Sequence, residues 1–263
     1  MLLQLGGGFV VALRASRLRS ELRPAGDARA TLGTTTDQAR EREARAAIEP
    51  VTLPPMDWAY QYRDPETLYL NVTNRCTNRC SFCVRSSTSR LGDGHLLGGS
   101  EPSFDELMEA IEERGGPESY RELIWCGYGE PTFRLDLIRL MGPIFRAAGA
   151  NVRLNTNGHA CLIHGRDVLP ELGEVIDRVN ISLNAPNARR YEELCRPDPG
   201  AAARWGSTSP SAFWEAVLDF LARAPEHIDD VRASVVGHTL SDDEIARCRK
   251  LAHALAGAPL RVR

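Results

Sequence analysis

The sequence predicts an α/β protein: a partial, TIM-like (β/α)6 barrel with a parallel sheet, preceded by an N-terminal extension. Three observations predict it. From residue 66 to residue 263, short apolar runs of strand length alternate with amphipathic runs of helical length, which implies parallel strands joined by crossovers. Polar and glycine-rich clusters follow the strand-like runs, where parallel α/β folds place their active sites. The stretch is shorter than the ~250 residues of an eightfold barrel, so six units fit better than eight, as a partial barrel or an open doubly wound sheet.

Residues 1–55 read as a poorly ordered extension and linker. Their apolar stretch is followed by Arg, the reverse of a secretory signal, and residues 21–50 are rich in Ala, Arg and Glu without a large apolar stripe. The Pro-bearing "EPVTLPPMDW" links this extension to the domain of residues 66–263. Leu68–Val72 is the first strand. Ser103 caps a helix that runs to about Glu113. Glu122–Cys126 is a short apolar strand, and the amphipathic Leu135–Ala148 is a helix stopped by Gly149. Val152–Asn155 is the third strand, Val168–Val175 a short helix, and Val179–Leu183 the fourth strand. Ala188–Cys195 is helical, residues 197–212 form a loop, and Phe213–Ala222 is a helix. Val231–Val236 is the fifth strand, Asp242–Leu255 the next helix, and Leu260–Arg263 the start of a sixth strand. Trp125 and Trp214 are core residues on this reading.

Composition excludes some classes. Hydrophobic residues make up 43 % of the 263 positions, charged residues 25 %, and the net charge is −3. That is ordinary for a soluble globular chain and gives no strong pull toward nucleic acid or membrane. No apolar run approaches a membrane span. The seven cysteines are not spaced as a secreted disulfide framework; they point to metal binding or catalysis in a reducing compartment, the cytoplasm.

The chemistry concentrates after the first strand, where Cys76, Cys80 and Cys83 stand in C-x-x-x-C-x-x-C spacing. Three close thiolates can hold a metal or an iron–sulfur cluster and leave one coordination position open. A structural zinc wants four ligands, and no second cysteine pair follows; His95 or Cys126 could serve as a fourth ligand, without typical spacing. Further clusters end the later strands: Gly127-Tyr-Gly-Glu130, Asn155-Thr-Asn-Gly158, Ser182-Leu-Asn184 and Val236-Gly-His238. Each has a plainer reading. Asn-Gly suits a turn, and polar residues on an apolar strand need partners wherever they sit. Cys126, Cys161, Cys195 and Cys248 are isolated in sequence, His159 and His238 stand alone, and Arg153, Arg189, Arg190 and Arg196 fit the surface or an anionic substrate.

Taken in order, these motifs resemble the radical S-adenosylmethionine (SAM) enzymes. The resemblance rests on Cys76, Cys80 and Cys83, with Phe82 as the aromatic before the last cysteine. It extends to "GYGEP", where Tyr128 replaces the second Gly of a Gly-Gly-Glu motif, then to "LNTNG" and "ISLNA". Among subgroups it is most similar to the TatD-associated radical SAM proteins. The resemblance implies a [4Fe–4S] cluster on Cys76, Cys80 and Cys83, with SAM on the fourth iron. It implies Phe82 near the adenine, Gly127, Tyr128 and Gly129 as close-approaching backbone, and Glu130 toward the SAM ammonium. Ser182 and Asn184 would face the ribose or the methionine carboxylate, Asn155 and Asn157 the substrate or SAM, and Val236 the adenine. The implied partners are a small-molecule or peptide substrate and an electron donor such as flavodoxin or ferredoxin. Nucleoside or deazapurine-type modification and protein or peptide activation are alternatives within the superfamily; a non-catalytic zinc-binding module is the alternative outside it.

Overall fold

The computed structural model describes residues 55–198 and 211–263. The expected N-terminal extension, and most of the expected loop at residues 197–212, lie outside the described residues. Two strands come first among the described residues, β1 (Ala59–Gln61) and β2 (Thr67–Leu70), and a small hairpin follows, β3 (Arg90–Leu91) with β4 (Gly94–His95). Next come α1 (Phe104–Glu112), β5 (Glu122–Trp125), α2 (Leu135–Ala147) and β6 (Asn151–Thr156). Two short helices, α3 (Ala160–His164) and α4 (Leu169–Gly173), lead to β7 (Arg178–Ser182). Then follow α5 (Ala188–Cys195), α6 (Ala212–Arg223), β8 (Asp230–Val235), α7 (Asp242–Ala256) and β9 (Leu260–Val262).

The main sheet has the order β1-β2-β5-β6-β7-β8-β9, parallel throughout except for the antiparallel β1–β2 pair. The six parallel strands are those expected, and their unbroken sequential order settles the architecture. Crossovers of one hand put successive helices on one face of the sheet. A doubly wound sheet would need the order to reverse, so this is the partial barrel. β1, which directly follows the Pro-bearing stretch, pairs antiparallel with β2 and covers its edge.

Local chemistry sets the helix ends. Ser103 and Glu106 form a reciprocal capping box on α1, and Ser241 and Glu244 form another on α7. The side chain of Asn187 caps α5 by accepting from the Arg190 N–H.

Alternation along the strands divides the sheet into two unlike faces. Leu68, Leu70, Leu123, Trp125, Val152, Leu154, Val179, Ile181, Val231, Ala233 and Val235 are buried in one core with residues of the flanking helices. Trp125 stacks at 5.8 Å on Phe145 of α2, and Trp214 of α6 belongs to the same core. The alternate positions are polar: Arg153 and Asn155, then Arg178, Asn180 and Ser182, then Arg232 and Ser234. They face the concave side. A closed eightfold barrel fills that side with bulky branched residues; here most of them line a cavity of about 680 Å³.

Candidate functional site

The cysteine loop leaves the C-terminal end of β2 and is pinned along one side by the end of α5. Arg79 N–H donates to Cys195 O at 3.0 Å, Ser81 N–H to Leu194 O at 2.9 Å, and Asp198 N–H to Thr77 O at 2.9 Å. Asn78 forms a bridge with Pro197, and its Nδ2 donates to the Tyr191 hydroxyl at 2.9 Å. Cys83 starts a short 3-10 turn at Val84–Ser86, and Arg85 Nη1 donates to the carbonyls of Asn74 and Tyr128.

The loop after β5 docks against this loop because two glycines let it. A Cβ on Gly127 would lie 2.0 Å from Asn71 Oδ1, and one on Gly129 would lie 2.4 Å from Thr73 O and 2.5 Å from Arg75 O. Glycine is required here for the approach of one loop to another. Asn71 Oδ1 accepts from Tyr128 N–H at 2.9 Å, and Arg75 O accepts from Glu130 N–H at 2.8 Å. Tyr128 is buried, with its ring in a small cluster with Tyr60 and Leu96.

Glu130 is 2 % exposed. Its Oε1 accepts from Thr132 N–H at 3.2 Å and from the Thr132 and Thr156 hydroxyls at 2.8 Å each. Its Oε2 accepts from Asn157 N–H at 2.7 Å. Four donors use most of a carboxylate's acceptor capacity. Burial still holds the Glu130 pKa above the ordinary carboxylate range, against the lowering effect of those donors.

Asn157 joins this network to the cysteines. Its Nδ2 donates to Thr77 Oγ1 at 2.7 Å and approaches Cys76 Sγ at 3.8 Å. Thr77 Oγ1 lies 2.7 Å from His159 Nδ1, while His159 Nε2 lies 3.0 Å from Phe213 O and 3.1 Å from the Tyr191 hydroxyl. A carbonyl can only accept, so Nε2 carries the proton and Nδ1 accepts from Thr77. Burial pushes the His159 pKa down to about 3. A histidine that stands alone in the sequence is therefore the neutral centre of a buried network.

The thiols differ in environment. Burial pushes Cys76 up to about 12, although Asn78 N–H donates to its sulfur at 3.5 Å. Cys80 is lowered because the Cys195 thiol donates to it, and Cys195 is raised by the same contact. Cys195 is isolated in sequence but not in space: α5 brings it beside Cys80. Cys126 is raised by burial. Among the described residues, no three His, Cys, Asp or Glu side chains gather as ligands of a single metal ion. A tetrahedral zinc needs its ligands around one point, whereas thiolates of a cluster bind separate irons. Three free cysteines on one loop, soft donors with amide groups beside Cys76, suit the larger group.

The remaining expected residues divide. Phe82 is half-buried and packs against the main core. Asn155 lines the cavity with Cys126 and Gly127. Ser182 ends β7, and its hydroxyl accepts from Arg263 Nη2 at 3.5 Å. Asn184 adopts a left-handed φ of 59° and is 4 % exposed, and its Oδ1 has no hydrogen-bond donor among the described residues. A buried orphan acceptor at a strand's C-terminal end suits a ligand-facing position. Val236 is half-buried and caps the turn Gly237–Thr239. Arg153 is not a surface residue: it lines the cavity, as do Arg178 and Arg232. Their signal was present in the sequence, since parallel strands buried on both faces read as continuous apolar runs and these alternate.

Comparison with known proteins agrees with this arrangement. The family model described as Radical SAM superfamily matches residues 70–252. GTP 3',8-cyclase of Rhodobacter capsulatus is 34 % identical over 142 residues, covering 51 % of this chain and 37 % of that protein. GTP 3',8-cyclase of Brucella abortus (strain S19) is 28 % identical over 191 residues, covering 71 % and 48 %. The chain thus spans less than half the length of these relatives. Among the described residues no helix is long and apolar enough to cross a membrane. The chain belongs to the radical SAM superfamily, whose members are enzymes that use a [4Fe–4S] cluster and S-adenosylmethionine.

Proposed function

We propose that this protein uses SAM to generate a radical that removes a hydrogen atom from a substrate held in the barrel cavity. One observation carries the reading: Val84, directly after Cys83, lines the same cavity as Cys126, Gly127 and Asn155. The cysteine loop therefore opens onto the concave face. Cys76, Cys80 and Cys83 would hold a [4Fe–4S] cluster, which when bound would supply the electron for reductive cleavage of SAM. The chain's own residues position and shield. Asn78 and Asn157 direct N–H groups toward Cys76. Phe82 covers the loop from solvent, and Gly127, Tyr128 and Gly129 form backbone beside it. Asn184, Ser182 and Val236 offer polar and apolar contacts to SAM at the ends of β7 and β8. Glu130 fixes the loops and keeps limited acceptor capacity for a SAM ammonium.

Among substrate classes, a nucleotide or nucleoside is favoured over a protein, because the matched relatives are named GTP 3',8-cyclase. The electron comes from a small reductant such as flavodoxin or ferredoxin, and the seven free cysteines suit the reducing cytoplasm.

The test is anaerobic reconstitution. About four irons and four sulfides per chain are expected, the content of one such cluster, and dithionite with SAM should yield 5′-deoxyadenosine. Cys80→Ala should lose the iron, and Cys248→Ala, buried far along α7, should keep it. Zinc without sulfide, or a loaded protein that forms no 5′-deoxyadenosine, would overturn the proposal.

A further inference from the structure

The concave cavity carries more positive charge than its fold requires. Arg63, Arg153, Arg178, Arg232, Arg261 and Arg263 all line it. Two carboxylates reach three of these six side chains. Glu122 pairs with Arg153 at 3.3 Å and Arg178 at 3.2 Å, and Asp230 pairs with Arg178 at 2.5 Å and Arg232 at 2.9 Å. These pairs form a belt across β5, β6, β7 and β8, in which Arg153 stands beside Arg178 and Arg178 beside Asp230 in strand register. The belt explains three of the arginines as wall structure.

Arg63, Arg261 and Arg263 make no ion pair with any described residue. Arg63 follows β1 with its guanidinium 4.8 Å over the Tyr62 ring, and Arg261 sits on β9 in register with Ser234. They lie on or just after the first and last strands of the sheet, yet line one cavity. Like charges gathered around one cleft repel one another, and such clefts concentrate ions of the opposite sign. Guanidinium groups hold phosphate and carboxylate by paired N–H donors. The concave wall from Arg178 to Ser182 is about 13 Å long at ~3.3 Å per residue, and its upper end is the rim beside the cysteine loop. Arg261, level in register with Ser234 and Ser182, stands at that rim, and Arg63 lines the same cavity.

We infer that the cavity is an oligoanion site: it holds a substrate with two or more clustered anionic groups, an oligophosphate or a polycarboxylate, through Arg63 and Arg261. The bound charge offsets both edge strands at once and orients the rest of the substrate toward Cys126 and the cysteine loop. This rests on the proposed radical chemistry for what happens to the ligand, but not for its binding.

The experiment is calorimetric titration of the cluster-loaded protein with inorganic tripolyphosphate, with citrate, and with uncharged guanosine. At least one oligoanion should bind, and the better of the two identifies the phosphate or carboxylate source. Arg63→Ala and Arg261→Ala should each weaken that binding about tenfold, the scale of a lost charge-assisted contact. Arg139→Ala removes an exposed arginine outside the cavity and should bind as wild type. Where an alanine variant loses iron or melts early, Arg261→Gln, which keeps a polar side chain but removes the charge, replaces it in the comparison. The inference is overturned if neither oligoanion binds, if guanosine binds equally well, or if Arg139→Ala weakens binding as much as the cavity variants. Oligoanion binding without 5′-deoxyadenosine formation would sink the radical proposal and leave this site standing. The reverse result would do the opposite.

Discussion

The backbone N–H of Asn157 donates to Glu130 Oε2 over 2.7 Å, and this contact joins the loop after β5 to the loop after β6. Asn157 then reaches Thr77 through its side chain. Glu130 thereby acts on the cysteine loop from a distance, through one backbone amide and one carboxamide. A residue expected to face a ligand spends most of its acceptor capacity on the protein itself.

Glu130→Gln tests that relationship. Glutamine keeps the volume but turns one acceptor oxygen into a donor. Either Asn157 N–H or the Thr132 and Thr156 hydroxyls then lose a partner inside the protein. An unmatched buried donor costs about 1–3 kcal/mol, and a chain of this size loses roughly 2–4 °C of melting temperature per kcal/mol. Differential scanning calorimetry should show that drop. A wild-type melting temperature would mean the carboxylate is reserved for a ligand.

Gly129→Ala should uncouple the two loops without unfolding the barrel. The added methyl would stand 2.4 Å from Thr73 O and 2.5 Å from Arg75 O. Both are backbone atoms and neither can rotate away, so the cysteine loop must shift. Iron bound after reconstitution should fall well below the wild-type value, while far-UV circular dichroism stays close to it. Full iron loading would show that the close approach is not needed for cluster assembly.

Much of this is written in the chain, and the unread parts have physical reasons. The six parallel strands and the longer helices stand out because each pairs an apolar face with a clear stop, such as the Ser103 and Ser241 capping boxes. β1 was hidden because three residues after a Pro-rich linker carry too little periodicity. The β3–β4 hairpin does carry a signal, Gly92-Asp93 between its strands, of the kind that favours two-residue turns. The cysteine triplet was legible because its spacing is local. The contacts that position it were not: Cys80 meets Cys195 and Thr77 meets His159 only after α5 and β6 fold back. The arginine-lined cavity was half legible, since polar residues at every second position of a parallel strand mean that one face is not core.

Buried His159 should make stability depend on pH. Its folded pKa is pushed to about 3, against about 6.5 in an unfolded chain. Between those values the unfolded chain binds one proton more than the folded protein, so stability falls as pH drops below about 6.5. The slope approaches ~1.4 kcal/mol per pH unit. Glu130, raised by burial, contributes with the opposite sign, so the comparison must be between proteins. Urea unfolding at several pH values should show a shallower acid-side loss in His159→Gln than in wild type. Parallel curves would mean that His159 is protonated in the fold.

Tyr191→Phe tests how the cysteine loop is held against α5. The hydroxyl accepts from Asn78 Nδ2 at 2.9 Å and stands 3.1 Å from His159 Nε2. Asn78 Oδ1 already has no hydrogen-bond partner among the described residues, so losing the tyrosine oxygen strands the amide at both ends. The expected cost is about 1–3 kcal/mol, with faster release of iron to a chelator because Asn78 lies between Cys76 and Cys80. Asn78→Ala removes the group that Tyr191→Phe leaves unmatched. The double variant should therefore be less destabilised than the sum of the singles, by the 0.5 kcal/mol or more, roughly, seen for contacting residues. Strict additivity in melting temperature and iron release would show that the two side chains do not act together.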